Sequence, residues 1–124
     1  MSYLVLSLIM ITVTLSACAQ LALKLGVSKP AMASALQNGL FDALIAALFS
    51  PLIWTGLLIY TLSVAMWLWV LSKVDLSVAY PFVGISFLVT MTFGAYLLNE
   101  SVTPIRIIGT ILIACGCVLV GKSA

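Results

Sequence analysis

The chain of 124 residues is 65% hydrophobic and only 6% charged, with a formal net charge of +2. Soluble domains carry about 25% charged residues, and a small soluble fold of this composition would expose large apolar surfaces that aggregate. The composition therefore indicates an integral membrane protein, and five basic side chains are too few for a nucleic-acid surface.

The first apolar segment, residues 2–23, has the length of a membrane-spanning helix, which is about 20 residues. A signal peptide is less suitable, because no basic region precedes the segment and it is longer than an h-region of roughly 7–15 residues. Four polar residues spaced four apart mark this segment: Thr12, Ser16, Gln20 and Lys24. Residues at this spacing share one helix face, and a polar face is costly against lipid. We therefore expect this polar stripe to face protein or a wet cavity.

The next segment is too short to cross a bilayer. Residues 28–37 are small and polar and are expected to form a loop. The following stretch NGLFDALIAALFS is apolar apart from Asp42. It predicts a short amphipathic helix over residues 35–49 that lies in the membrane interface with Asp42 toward water. A re-entrant helix is the alternative.

Three further segments are long and apolar enough to span the membrane: residues 51–71, 76–98 and 104–121. Short connections make consecutive spans antiparallel neighbours, and Pro81 is expected to bend the third span. The sequence thus predicts an all-α integral membrane protein, with four transmembrane helices and one short interfacial helix. These elements form a single transmembrane domain over residues 1–124, with both termini on the same side.

Catalysis and metal binding have little support in the sequence. The chain has no histidine and three cysteines, Cys18, Cys115 and Cys117, all within apolar segments. Cys115 and Cys117 lie about 200° apart on a helix and cannot hold a metal ion from one face. We interpret the cysteines as packing residues. Without a nucleophile–base pair or a metal cluster, we expect no enzyme activity, no metal and no cofactor.

Several stretches together carry a resemblance to a known family: SACAQLALKLG from Ser16, AYPFVGISF from Ala79 and LNESVTPIRIIGTILIACGCVLVG from Leu98. The whole chain resembles the drug/metabolite transporter superfamily, at the scale of its four-helix small multidrug resistance members. Those exporters carry a glutamate in the middle of the first helix, where this chain has Ser16. The first helix and DALIAALFSPLIWTGLLIYTLSVAMW are more similar to the small subunits proposed to flip undecaprenyl-phosphate-linked aminoarabinose.

This resemblance implies a flippase that moves a polyprenyl-phosphate-linked monosaccharide across the bacterial inner membrane, with membrane lipids around it. It does not imply which sugar is carried. Two alternatives remain. One is a small multidrug resistance-type exporter of cationic or metabolite solutes, and the other is a membrane assembly subunit that carries no cargo.

The candidate substrate-binding residues follow from the chemistry of an anionic lipid headgroup, which needs a cation and hydrogen-bond donors. Lys24 would meet the phosphate, with Gln20 and Ser16 as donors farther in, and Arg106 would be a second phosphate contact. The alternatives are a helix-end lysine that snorkels to the interface and an Arg106–Glu100 ion pair. Three aromatic residues are candidates for contact with the sugar or the prenyl chain, or else packing or membrane-belt residues: Tyr60, Trp67 and Tyr80.

Four helices of this size leave little interior for cargo, so we expect a dimer. Small residues at Thr110, Ala114 and Cys117 predict that the last helix forms its main contact. Two basic residues on one side of the membrane against three on the other leave the orientation open. A parallel or antiparallel homodimer and a heterodimer with a paralogous small subunit are all compatible with the sequence.

Overall fold

The structure is a computed structural model that describes residues 2–123, and this range is helical without any strand. The helices run in chain order as α1 (Tyr3–Val27), α2 (Pro30–Asn38), α3 (Leu40–Leu48), α4 (Pro51–Leu71), α5 (Leu76–Ala79), α6 (Gly84–Tyr96) and α7 (Pro104–Ser123). A 3₁₀ turn over Tyr80–Val83 joins α5 to α6, so these elements form one composite span. Within residues 2–123, four spans are long and apolar enough to cross a membrane, which confirms the predicted fold class.

Serine and proline residues fix where the long helices begin. Ser2 accepts a hydrogen bond from the Val5 backbone N–H at 3.3 Å, and Ser50 accepts one from Ile53 at 3.4 Å. Each bond satisfies a donor that the first helical turn leaves without a partner. Pro51 occupies the first position of α4, where its missing N–H costs nothing.

Residues 28–49 form two short helices, where the sequence suggested a loop followed by one helix. Pro30 begins α2, and Gly39 separates α2 from α3 with a φ of 133°. That angle is incompatible with a continuing helix and is easily adopted only by glycine. Met32 of α2 and Ala43 of α3 are buried together with Ile53, which ties the pair of helices to the start of α4.

The third span is irregular where Pro81 was expected to bend it. Pro81 lies within the 3₁₀ turn, and its carbonyl accepts a hydrogen bond from the Cys117 Sγ at 2.6 Å. Gly84 follows the turn and lies close to α7, because a β-carbon there would come 2.9 Å from the Cys117 Sγ. The turn therefore packs directly on the last helix.

The two ends of the bundle are packed differently. We call the end with residues 72–75, together with residues 3–9 and 117–123, the closed end. Its buried cluster joins the first half of α1 to the end of α4 and the start of the third span: Val5, Ile9, Val13, Val70, Ala79 and Phe82. We call the opposite end, with residues 24–50 and 97–103, the open end.

Two of the three residues predicted to form the dimer contact along α7 instead face their own chain, and the dimer itself stays a prediction. Cys117 is only 3% exposed and packs against the third span of its own chain. Thr110 is half-buried and also faces the interior of the bundle. A different face of α7 is exposed and apolar, including Ile108, Leu112 and Leu119.

Candidate functional site

A cavity of about 870 Å³ opens at the open end of the bundle, between α1 on one side and α6 and α7 on the other. It forms because α1 packs chiefly against α4, whereas α7 packs against α6 and the 3₁₀ turn. The volume lies within the range of about 300–1,000 Å³ that small-molecule sites occupy. We call this space the large cavity.

One wall of the large cavity is the polar stripe of α1. Ser16, Gln20 and Lys24 all line it, and Lys24 is the outermost of the three. At about 1.5 Å of rise per residue, the stripe descends roughly 12 Å from Lys24 to Ser16. A positive charge at the mouth is thus followed inward by an amide and a hydroxyl group.

Arg106 lies on the facing wall, close to the beginning of α7. Its Nη1 donates a hydrogen bond to the Ser101 carbonyl at 2.9 Å. The sequence had suggested Glu100 as a possible partner, but this bond goes to a backbone carbonyl of the same loop. A guanidinium group has five N–H donors, so the bond orients Arg106 and leaves other donors for a ligand. The large cavity is therefore bordered by cations on both walls, Lys24 and Arg106.

Glu100 also lines the large cavity, and the sequence did not identify it as a site residue. It is one of only three acidic residues in the chain. The sequence suggested only a role as the partner of Arg106. The two signals that could have indicated its position are Asn99, a residue suited to a left-handed turn, and Gly94, which has no side chain.

A smaller cavity of about 160 Å³ adjoins the large one toward the closed end. Ser16, Tyr60, Val83 and Ser86 line both cavities, so the two spaces meet at these residues. The structure brings all seven predicted site residues onto one or both cavities: Ser16, Gln20, Lys24, Tyr60, Trp67, Tyr80 and Arg106.

Three buried hydroxyl groups line the small cavity or its junction with the large one: Thr12, Ser63 and Ser86. Each donates to a carbonyl of its own helix, as Thr12 does to Leu8 at 2.7 Å and Ser63 to Tyr60 at 2.8 Å. The hydroxyl oxygens keep lone pairs for a ligand. Sequence reasoning missed Ser63 and Ser86, although a serine inside an apolar span is a usable signal.

The arrangement is suited to binding a ligand. The charged side chains gather at the mouth, whereas hydroxyl groups and aromatic rings lie farther in. Within residues 2–123, no group of three His, Cys, Asp or Glu side chains could hold a metal ion. A ligand with an ionic group and a hydroxyl-rich part would find complementary chemistry along this path.

Known proteins share this sequence pattern. The model of the EamA-like transporter family matches residues 1–122. A probable 4-amino-4-deoxy-L-arabinose-phosphoundecaprenol flippase subunit ArnE of Pseudomonas aeruginosa (strain UCBPP-PA14) is 30% identical over 118 residues, which cover 95% of this chain and 97% of that protein. The ArnE protein of Pseudomonas savastanoi pv. phaseolicola is 33% identical over 84 residues, 68% of this chain and 74% of the relative.

A probable ArnF subunit of the same kind of flippase, from Shewanella sediminis, is 29% identical over 124 residues, which cover 93% of this chain and 86% of that protein. The similarity thus extends to both kinds of small subunit. No solved structure matches the chain.

Proposed function

The chain belongs to the EamA-like transporter family, and from this premise we propose that it moves a polyprenyl-phosphate-linked monosaccharide across the bacterial inner membrane. The observation that carries the proposal is the pair of cations, Lys24 and Arg106, that border the mouth of a cavity whose inner walls bear hydroxyl groups. The relatives named as flippase subunits for a lipid-linked amino sugar support it.

The phosphate is the part of such a cargo that a bilayer excludes most strongly. Moving a single charge to the bilayer centre costs at least about 2.5–3.5 kcal/mol on insertion scales. Lys24 and Arg106 offset this cost by charge-assisted hydrogen bonds from the two walls. Gln20, about 6 Å inward from Lys24 along α1, supplies the next donor.

The sugar follows the phosphate toward the hydroxyl groups at the junction of the two cavities. The Ser63 and Ser86 oxygens accept hydrogen bonds from sugar hydroxyls, and Ser16 both donates and accepts them, replacing those that water made. The rings of Tyr60 and Trp67 present apolar faces of the kind that pack against a sugar ring. Tyr80 extends the same lining toward the closed end.

The prenyl chain needs no site within the bundle. The large cavity lies between α1 and α7, and the surfaces beside it are apolar and exposed, as at Ile105 and Ile108. The headgroup enters sideways from the membrane while the tail stays in lipid, so four helices are enough to shelter the polar part.

A second small subunit completes the transporter in this proposal. The chain resembles both ArnE and ArnF, which are named as subunits of one kind of flippase. The partner is a paralogous subunit or a second copy, and it packs against the exposed face of α7 that includes Leu112 and Leu119. Transport of this kind requires no covalent step and therefore no enzyme activity.

A second candidate function is export of cationic solutes, and Glu100 on the cavity wall is the observation that favours it. A carboxylate attracts a cation, but Lys24 and Arg106 line the same space and repel one. The cavity wall carries two positive side chains and one negative side chain, so its net charge is positive. A positive cavity favours cargo that contains an anionic group.

The decisive experiment places the purified protein, with any subunit that copurifies, into vesicles that contain a labelled lipid-linked monosaccharide. The fraction of label exposed on the outer leaflet is followed with time. We expect faster equilibration than in vesicles without protein, together with copurified polyprenyl phosphates by mass spectrometry. Uptake of a quaternary ammonium dye without movement of the lipid would overturn the proposal in favour of cation export.

A further inference from the structure

We propose that Glu100 is a specificity-determining residue that selects cargo whose sugar carries a protonated amine. This inference rests on the proposed function. It concerns the one charged cavity residue that a phosphate site alone leaves unexplained, since a carboxylate weakens the binding of an anion.

The backbone fixes Glu100 over the end of α6. Asn99 adopts a left-handed conformation with a φ of 54°, which turns the chain back at the end of the helix. The Glu100 N–H then donates to the Gly94 carbonyl at 2.8 Å, and the Leu98 N–H donates to Phe93 at 3.2 Å. These bonds are typical of a helix end closed by a residue in the left-handed region. The position of Glu100 on the cavity wall is therefore set by the fold.

The missing side chain of Gly94 makes room for the carboxylate. A β-carbon at Gly94 would lie 2.7 Å from the Glu100 Oε2, too close for both atoms to keep their places. Gly94 is buried, and the carboxylate occupies the space beside it at the wall of the large cavity. The turn at Asn99 and the missing side chain of Gly94 together place the negative charge of Glu100 in the large cavity, which two basic side chains also line.

Charge complementarity then discriminates among headgroups. A phosphodiester linked to a neutral sugar pairs with Lys24 and Arg106 but leaves the Glu100 carboxylate without a cation. A cationic solute without phosphate pairs with Glu100 but is repelled by the two basic residues. A head that carries both a phosphate and an ammonium group satisfies both kinds of charge, so the cavity favours a zwitterionic head.

The three charged residues, Lys24, Glu100 and Arg106, all line the large cavity at its mouth. Arg106 is bound to the loop carbonyl of Ser101, whereas Glu100 is directed toward Gly94 on α6. The phosphate and the amine of an amino sugar are separated by the sugar ring. A head that carries both groups can therefore pair its phosphate with the basic side chains and its amine with the carboxylate at the mouth of the cavity.

The test compares two polyprenyl phosphates in reconstituted vesicles, one with an amine-bearing monosaccharide and one in which that amine is acetylated. Acetylation removes the positive charge and keeps the sugar and the phosphate. We expect the parent protein to move the amine-bearing lipid about tenfold faster, a factor that a single charge-assisted hydrogen bond can supply. Glu100→Gln should slow that lipid and bring the ratio of the two rates close to one.

Two further variants separate the carboxylate from its surroundings. Gly94→Ala should push the carboxylate aside and lower the ratio of rates partially, because the contact is with the end of a flexible side chain. Asp42→Asn removes an exposed carboxylate that lines neither cavity, and it should leave the ratio unchanged.

The outcomes distinguish this inference from the proposed function. If the parent protein moves neither lipid, the proposed function fails, and the inference fails with it. If it moves both lipids at the same rate, or if Glu100→Gln slows both lipids equally, transport stands and the selective role of Glu100 is overturned.

Discussion

The closed end and the open end of the bundle are built from the same kinds of apolar helix, yet the first is closely packed and the second contains a cavity. At the closed end, Ile9 and Val70 are completely buried, and the 3₁₀ turn contacts α7 through the Cys117–Pro81 hydrogen bond. At the open end, the corresponding space is the large cavity, with polar residues on its walls. Close packing at one end and an open site at the other are what a transporter needs in order to expose its cargo to one side at a time.

The spacing between α6 and α7 differs between the two ends, and two glycines show it. Gly84 lets α6 approach α7 near the closed end, where a β-carbon would meet the Ile113 Cγ2 at 2.5 Å. Gly109, on the part of α7 that lines the large cavity, has no heavy atom within 4 Å of the place of its β-carbon. Between α6 and α7, glycine thus marks a contact at Gly84 and open space at Gly109.

The largest effect is expected at the open end, from Lys24→Gln. The change removes the outermost positive charge and should lower lipid transport by about tenfold or more, since charge-assisted hydrogen bonds contribute about 1.5–3 kcal/mol. The measurement is the rate of headgroup exposure in vesicles, with insertion checked by protein yield.

Two matched variants sharpen this result. Lys24→Arg should keep part of the activity, because charge and donors remain while the geometry changes. Lys29→Gln removes a lysine that lines neither cavity and should transport normally. Normal transport by Lys24→Gln would mean that Lys24 only marks the end of α1.

At the closed end, Gly84→Ala should destabilise the contact between the third span and α7. The added carbon cannot fit without moving Ile113 or Cys117, and overpacking of this kind costs about 1–3 kcal/mol. Unfolding in mixed micelles by a denaturing detergent measures the change in stability. Gly116→Ala is the control, because a β-carbon there meets no atom within 4 Å. An equal loss of stability in both variants would refute the proposed difference in packing between the two positions.

A smaller effect is expected where the two ends meet, from Trp67→Leu in the small cavity. Loss of the ring face should slow transport a few-fold, since an aromatic contact contributes about 0.5–1.5 kcal/mol beyond its buried area. Trp69→Leu provides the control, because Trp69 lines neither cavity. The Lys73 Nζ lies over its ring instead, 5.4 Å from the ring centroid. Equal rates for the two variants would leave Trp67 with a packing role only.

The sequence predicts the membrane spans well because length and apolar composition decide them. The face that each span turns inward is harder to predict, since a helix in lipid is apolar all round and lacks a marked periodicity. Cys117 illustrates this, because a small residue fits a contact within the chain as well as one between chains. The polar stripe on α1 was informative because polar groups are costly against lipid and so identify an inner face.

Features that depend on backbone angles or distant contacts could not be predicted. Gly39 divides residues 30–48 into two helices through its φ of 133°, whereas composition suggested a loop followed by one helix. Glu100 reaches the cavity because Asn99 reverses the chain and Gly94, six residues earlier, leaves space. Neither the break at Gly39 nor the position of Glu100 is visible in the hydropathy of the sequence.

The hydroxyl groups of Thr12, Ser63 and Ser86 have one more consequence, for the electrical integrity of the membrane. Proton conduction along a file of water or hydroxyl groups requires that each member pass its hydrogen to the next. The hydrogens of these three hydroxyl groups are donated to backbone carbonyls of their own spans. Among the described residues, no charged side chain lines the small cavity to accept a proton. We therefore expect Thr12, Ser63 and Ser86 to relay no protons while the protein is at rest.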